Sequence, residues 1–300
     1  MLEIELVFFN QVILITPLLY YATLFIFGLF FGSFFKVIVD RSRYLYEESV
    51  VSKKKSKNQL KNLSWISGRS CCDYCHKQLA WYDNIPLLSF LWLGGKCRYC
   101  QKPINPSHPM TEFFTGILFI LAGYIHLKSW ILFENNFWLN LLFILVVCST
   151  LWLIFLFDQK YMIIPDELVV IITLLAIAKG YESWRVTQEL INIPNLATAF
   201  VALIFFVILR YLPMVLAKKY GMGLGDIKLI FPLAYLLGYQ RAIVAVFCAF
   251  IIGGVWGIIL LINKKAQFGQ VLSFGPFLVF GSLISIFWGL ELWQYYWKLL

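Results

Sequence analysis

Charge is what this chain lacks: 14% of its 300 residues are Asp, Glu, Lys or Arg, only 16 of them acidic, and histidine occurs three times. A water-soluble domain carries about a quarter charged residues, so an ordinary cytosolic enzyme and a highly charged disordered chain are both excluded. His76, His108 and His126 show no mutual spacing for a metal or a catalytic triad and are expected at the surface. The Gly221 to Asp226 segment lacks the Gly-Lys-Ser/Thr ending of a phosphate loop. No internal repeat is evident. Glu3 and Glu5 precede the first apolar run with no basic residue, and no small-residue cleavage site follows it. A cleaved signal peptide is therefore not expected, and the first span should be retained as an anchor.

What is present is apolar surface. Hydrophobic residues make up 61% of the chain, aromatics 18%, and the mean hydropathy is +0.77. Apolar runs fall at about Ile13–Val39, Thr111–Leu127, Phe137–Phe157, Glu167–Ala178, Pro194–Leu216, Ile227–Leu237, Ala242–Ile262 and Val271–Leu290. The expected fold is an all-α polytopic membrane protein of about eight transmembrane helices. The spans around Leu168 and Leu229 are shorter than the roughly 20 residues that cross a bilayer core, so they are expected to be tilted, half-crossing or finished by polar turns.

The formal charge of +9 is unevenly placed: twelve of the 25 basic residues lie between Arg41 and Lys102. This reads as the signature of a cytoplasmic loop rather than a nucleic-acid surface, and no nucleic-acid partner is expected. With that loop inside, Lys160, Lys218, Lys219, Lys264 and Lys265 also face the cytoplasm and both termini lie outside. The polar run Ser52 to Asn62 is expected to be a solvated excursion.

The same loop carries five of the seven cysteines, including Cys72-Asp-Tyr-Cys75 and Cys97-Arg-Tyr-Cys100 with 21 residues between the pairs. Two such knuckles can place four thiolates around one zinc ion, with no open position for catalysis. Paired disulfides are the alternative, disfavoured in a reducing cytoplasm. Cys148 and Cys248, inside spans, are expected to be buried unligated thiols, and Cys71 can substitute for Cys72.

Few carboxylates approach the membrane. Asp158 closes the third span and Asp226 opens the sixth, both on the cytoplasmic side, and intramembrane ionisable groups are functional candidates by default. Two carboxyls held together cannot both ionise, so one serves as acid and the other as base toward a water between them. Gly221, Gly223 and Gly225 permit positive φ and close backbone approach in a break before Asp226, where Gly223 and Gly225 are expected to expose backbone to an extended substrate. The alternative makes them a turn and Asp226 an ordinary cap. Asp166, after Pro165, reads as a helix-start residue.

Taken in order, Gly32-Ser-Phe34 with Arg41, the two cysteine pairs, Asn84-Ile-Pro-Leu-Leu-Ser-Phe90, Glu112 with Thr115-Gly116, Asp158 to Asp166, and Gly223-x-Gly-Asp226-x-Lys228 resemble the prepilin peptidases of type IV pilus, type II secretion and competence systems. The resemblance spans nearly the whole chain. It implies a membrane aspartic protease with Asp158 and Asp226 as the catalytic pair, cutting the basic leader of prepilins or pseudopilins after a glycine. Many members then methylate the new amino terminus with S-adenosylmethionine. The implied location is the bacterial cytoplasmic membrane, and membrane lipid is the other expected partner. The expected organisation is an anchor helix over 1–39, a zinc-binding loop domain over 40–110 and the peptidase core over 111–300. Lys36, Ser42-Arg43 and Ser107-His108 depart from the family's usual Asn, Leu-Pro and Arg-Tyr in or beside the loop that it associates with methyl transfer. The matched residues therefore carry proteolysis more directly. The rival functions are a non-enzymatic membrane assembly factor and a cation-coupled transporter.

Overall fold

The computed structural model describes residues 2–42, 70–72, 74–128, 136–187, 192–217, 221–263 and 273–299, and of residues 2–16, 186, 187, 216 and 217 the backbone alone. The Ser52 to Asn62 run, Lys218, Lys219, Lys264 and Lys265 lie outside the described residues. Helices dominate: α1 (Leu2–Arg41), α2 (Leu88–Trp92), α3 (Ser107–Lys128), α4 (Phe137–Tyr161), α5 (Asp166–Thr187), α6 (Ile193–Ala217), α7 (Leu224–Leu237), α8 (Tyr239–Ile262) and α9 (Gly275–Leu299). Six of them, α1 from Pro17, α3, α4, α6, α8 and α9, are long and apolar enough to cross a membrane. The chain is a multi-pass membrane protein, and α5 and α7 complete the eight segments expected.

The chain divides into two compact units, Met1–Tyr124 and Ile125–Leu300. In the first, α1 and α3 approach closely because small residues line their seam. A Cβ on Gly28 would stand 2.6 Å from the Gly116 Cα, and one on Gly32 would stand 2.7 Å from the Glu112 Cα. Lipid provides no hydrophobic drive between helices, so this close van der Waals packing and the hydrogen bonds it permits hold the pair. Lys36, at 13% side-chain exposure, is accommodated by an ion pair to Asp40 at 3.2 Å.

In the second unit α7 is the central helix, packed against α5, α6, α8 and α9. Leu229, Ile230, Leu233 and Leu236 are all buried. Its 14 residues span about 21 Å at 1.5 Å per residue, short of the roughly 30 Å hydrocarbon core. Its ends are satisfied by protein instead. Gly223 N–H bonds the Asp226 side chain at the start, and Lys179 Nζ donates to the Leu236 carbonyl at the finish, a cation at the negative helix end.

Four expectations change. The span begun at Glu167 does not stop at Ala178, because α5 continues through charged residues that find partners: Glu182 is buried with Arg185 at 3.0 Å. The last helix begins at Gly275, four residues after Val271, where Pro276 sits in the first turn as helix starts favour. His126 is buried rather than superficial, its ring 4.4 Å from that of Phe137 and edge-on to it. An internal repeat does exist, within the cysteine loop.

Candidate functional site

That repeat has a 25-residue offset. His76 N–H donates to the Cys72 carbonyl and Gln101 N–H to the Cys97 carbonyl, both at 2.9 Å. Cys72 and Cys97 N–H groups donate to Lys77 and Lys102 carbonyls, and isolated bridges pair Cys71 with Gln78 and Lys96 with Pro103. Each knuckle turns through a residue at positive φ, His76 at 54° and Gln101 at 57°. The knuckles also exchange side chains: Lys77 lies over the Tyr99 ring and Lys102 over the Tyr74 ring.

This symmetry brings the sulfurs of Cys72, Cys75, Cys97 and Cys100 within 4.8 Å of one another, a group able to hold a metal ion. Cys72 Sγ and Cys100 Sγ are 3.8 Å apart. A tetrahedron with zinc–sulfur arms of about 2.3 Å has edges of about 3.8 Å, so the donor set fits such an ion and not a disulfide. Cys71 occupies the register of Lys96, is exposed, and stands outside the group. The Cys100 and Tyr99 backbone N–H groups bring the Cys97 thiol down to about 7.

The loop is also tied to the helices. Glu112 on α3 is buried, accepting from the Leu87 N–H at 2.9 Å and from Ser33. Leu87 sits at φ 59°, ψ −48° inside a tight turn in which Leu88 N–H reaches the Pro86 carbonyl at 2.6 Å. A leucine there is strained, and such a conformation persists only where its surroundings hold it.

In the second unit three helix ends meet around the aspartates. Asp158 lies three residues before the end of α4, where Met162 at φ 55° closes the helix by donating to the Asp158 carbonyl. Asp226 lies in the first turn of α7, its carboxylate bonded by the Gly223 N–H. Both are buried, 2% and 4% exposed. The start of α9 closes the group, with the Ser273 hydroxyl donating to Asp158 Oδ2. Gly275 faces both carboxylates: a Cβ there would strike Asp158, 2.9 Å from its Cγ, and stand 3.4 Å from Asp226 Oδ1.

The glycine segment differs from expectation. None of Gly221, Gly223 and Gly225 has positive φ, and the break ends at Gly223, since Leu224 and Gly225 already belong to α7. Close approach is what these glycines supply. Gly221 packs on the Leu209 carbonyl and the Pro213 ring; proline has no N–H to engage the carbonyl four residues back, which leaves that surface open. Arg210 donates to the Met222 carbonyl, and its own carbonyl accepts the Gly221 N–H. Gly225 packs on Ile164, and Gly223 is exposed. Asp166 starts α5 and pairs with Lys228 at 2.8 Å in solvent, apart from the buried pair.

Sequence reasoning missed Ser273, Gly275 and Arg210 as members of this arrangement. The available signal was Gly275-Pro276, a helix start placed inside what reads as one apolar run.

Fold and site together define a multi-pass membrane protein with two buried aspartates at converging helix ends and a four-thiolate site of metal-binding type. Residues 26–126 match the profile of the bacterial peptidase A24 N-terminal domain, and residues 145–258 that of the type IV leader peptidase family. Proteins named prepilin leader peptidase/N-methyltransferase align along the chain. The one from Klebsiella pneumoniae is 30% identical over 75% of this chain and 88% of its own length. That of Legionella pneumophila is 29% identical over 93% and 95%, and that of Bacillus subtilis 28% over 92% and 97%. No solved structure matches the chain. The chain belongs to the prepilin leader peptidase/N-methyltransferase family.

Proposed function

We propose that the chain is an aspartic endopeptidase that removes the short basic leader from type IV prepilins or pseudopilins after a glycine, with Asp158 and Asp226 as the catalytic pair. The observation that carries this is the burial of two carboxyls that both approach the same side-chain-free position, Gly275. Held that closely in a low-dielectric site, the pair keeps one proton. The ionised carboxyl takes a proton from a water while the protonated one hydrogen-bonds the scissile carbonyl; water oxygen attacks carbon. The acquired proton then goes to the leaving amine as the C–N bond breaks. Ser273 holds Asp158 in place, and Arg210 with Gly221 fixes the turn that presents Asp226. Gly223 keeps an open backbone over which the substrate strand passes, while Gly225 secures α7 against Ile164.

The family resemblance supports the bacterial cytoplasmic membrane, and the distribution of Lys and Arg supports both termini outside with the aspartates and cysteine loop inside. A prepilin in that membrane presents its leader on the same side. The division into an anchor over 1–39, a loop domain over 40–110 and a core over 111–300 follows the same reading. Cys72, Cys75, Cys97 and Cys100 hold a structural zinc, which contributes folding free energy to a loop with little core of its own. The relatives' shared name adds N-methylation of the new terminus, for which S-adenosylmethionine is the methyl donor. Asp83 in the loop accepts from Arg98 through Oδ1 and from the Ala80 N–H through Oδ2, and no residue is assigned to that donor.

Incubating the purified full chain in detergent with a prepilin tests the reading. Mass spectrometry should show loss of the leader after the glycine, and an uncut prepilin would refute it. A transporter or assembly factor would leave the prepilin intact.

A further inference from the structure

Between the cysteine knuckles, Trp81–Asn84 forms a short 3-10 turn and Leu88–Trp92 the helix α2. Their apolar side chains face outward: Trp81 is 79% exposed, Leu88 63%, Leu91 73% and Trp92 87%. A cavity of about 620 Å³ lies between them, lined by Tyr82, Leu88, Leu91 and Trp92, with Asp83 and Arg98 also at its wall. An apolar surface of this kind marks an interaction site rather than a solvated loop.

Its depth is set by the Leu87–Glu112 hydrogen bond. Glu112 is the sixth residue of α3, about 8 Å along the axis from the helix start at 1.5 Å per residue. The helix has 22 residues and is a candidate membrane span in its own right, so little of its length projects beyond a hydrocarbon core of roughly 30 Å. The amide that opens α2 is therefore held within about 8 Å of the level where α3 enters the hydrocarbon. At that level tryptophan is the preferred side chain, its ring in the acyl boundary and its N–H among the headgroups. Arg98, at the rim of the patch, stacks on Tyr82 at 4.9 Å and is 42% exposed, its charge paired with Asp83 at 2.8 Å.

We infer that Trp81–Leu93 is a monotopic membrane anchor: the turn and α2 lie in the headgroup boundary of the bilayer that the spans cross, with a phospholipid against Leu91 and Trp92. The loop domain is then seated on the membrane rather than suspended from it. Membrane insertion of the spans is all this requires, so it stands or falls separately from the peptidase assignment.

Photo-crosslinking tests it in the intact chain. Trp92→p-benzoylphenylalanine, in nanodiscs of phosphatidylethanolamine and phosphatidylglycerol, should acquire adducts of phospholipid mass on irradiation. Phe27, 61% exposed on a spanning helix, is the positive control carrying the same reporter. Metal content confirms that the loop stays folded, and a Leu91 reporter repeats the test if Trp92 replacement disturbs it. Lipid adducts at Phe27 but none at Trp92 or Leu91 overturn the inference. So do crosslinks from Trp92 to peptides of this chain, a second copy or another protein in place of lipid.

Discussion

Substituting Gly275 by alanine adds one methyl group against both aspartates. The new carbon would stand 2.9 Å from Asp158 Cγ and closer still to its Oδ2, and 3.4 Å from Asp226 Oδ1. Ordinary carbon contacts begin near 3.5 Å, so the Asp158 carboxyl must withdraw by at least roughly 0.6 Å, and its bond from Ser273 is displaced with it. Overpacking of this kind costs about 1–3 kcal/mol where the surroundings resist, while alanine returns up to about 1 kcal/mol of helix propensity, less before a proline. Folding should therefore change little. Catalysis is less tolerant, since misplacing a reacting group by about 1 Å costs on the order of 100-fold. The expected result is a loss of that order in prepilin cleavage, with metal content and thermal unfolding near wild type. Gly254→Ala and Gly257→Ala, where a Cβ meets nothing within 4 Å, are the controls and should cut normally. Wild-type turnover by Gly275→Ala would show that the reaction does not take place between these carboxyls.

Three further outcomes follow from the same structure. Elemental analysis should find about one zinc per chain, lost in Cys97→Ser Cys100→Ser and kept in Cys71→Ser; equal metal in all three would refute the four-thiolate assignment. Arg210→Met removes the bond to the Met222 carbonyl and should lower kcat by about tenfold to 100-fold through a misplaced Asp226, whereas Arg210→Lys should recover part of it. Gly223→Val, whose Cβ would stand 3.1 Å from Asp226 Oδ2, should abolish turnover without loss of the folded chain, measured by cleavage beside membrane yield.

The features legible in the sequence are those whose physics is local. Carboxylates at the ends of apolar runs are rare enough to single out Asp158 and Asp226, and paired C-x-x-C spacing singles out the four cysteines whose sulfurs cluster. What escaped notice depends on tertiary contact. Ser273 and Gly275 matter only because α9 starts against α4 and α7, which no periodicity reports. The charges that seemed to end α5 are tolerated because Lys179 and Glu182 find partners on a neighbouring helix and within α5 itself. The knuckle repeat was visible as Cys-x-Tyr-Cys-x-Lys in both halves, yet its exchange of Lys77 and Lys102 between rings becomes clear only in the folded loop. The glycines before Asp226 permit both positive φ and close approach, and only the folded contacts show that they serve the second, toward Leu209, Pro213 and Ile164.

The central claim is that Asp158 and Asp226 together perform peptide hydrolysis, and cleavage of a prepilin by Asp158→Asn and Asp226→Asn tests it most directly. Asparagine preserves shape and removes the ionisable carboxyl, so each variant should insert, keep its metal and cut at the background rate. Asp166→Asn, which loses only a solvent-exposed pair with Lys228, should cut near the wild-type rate, as exposed pairs contribute at most about 1 kcal/mol. Cleavage at the wild-type rate by either Asp158→Asn or Asp226→Asn would contradict the account.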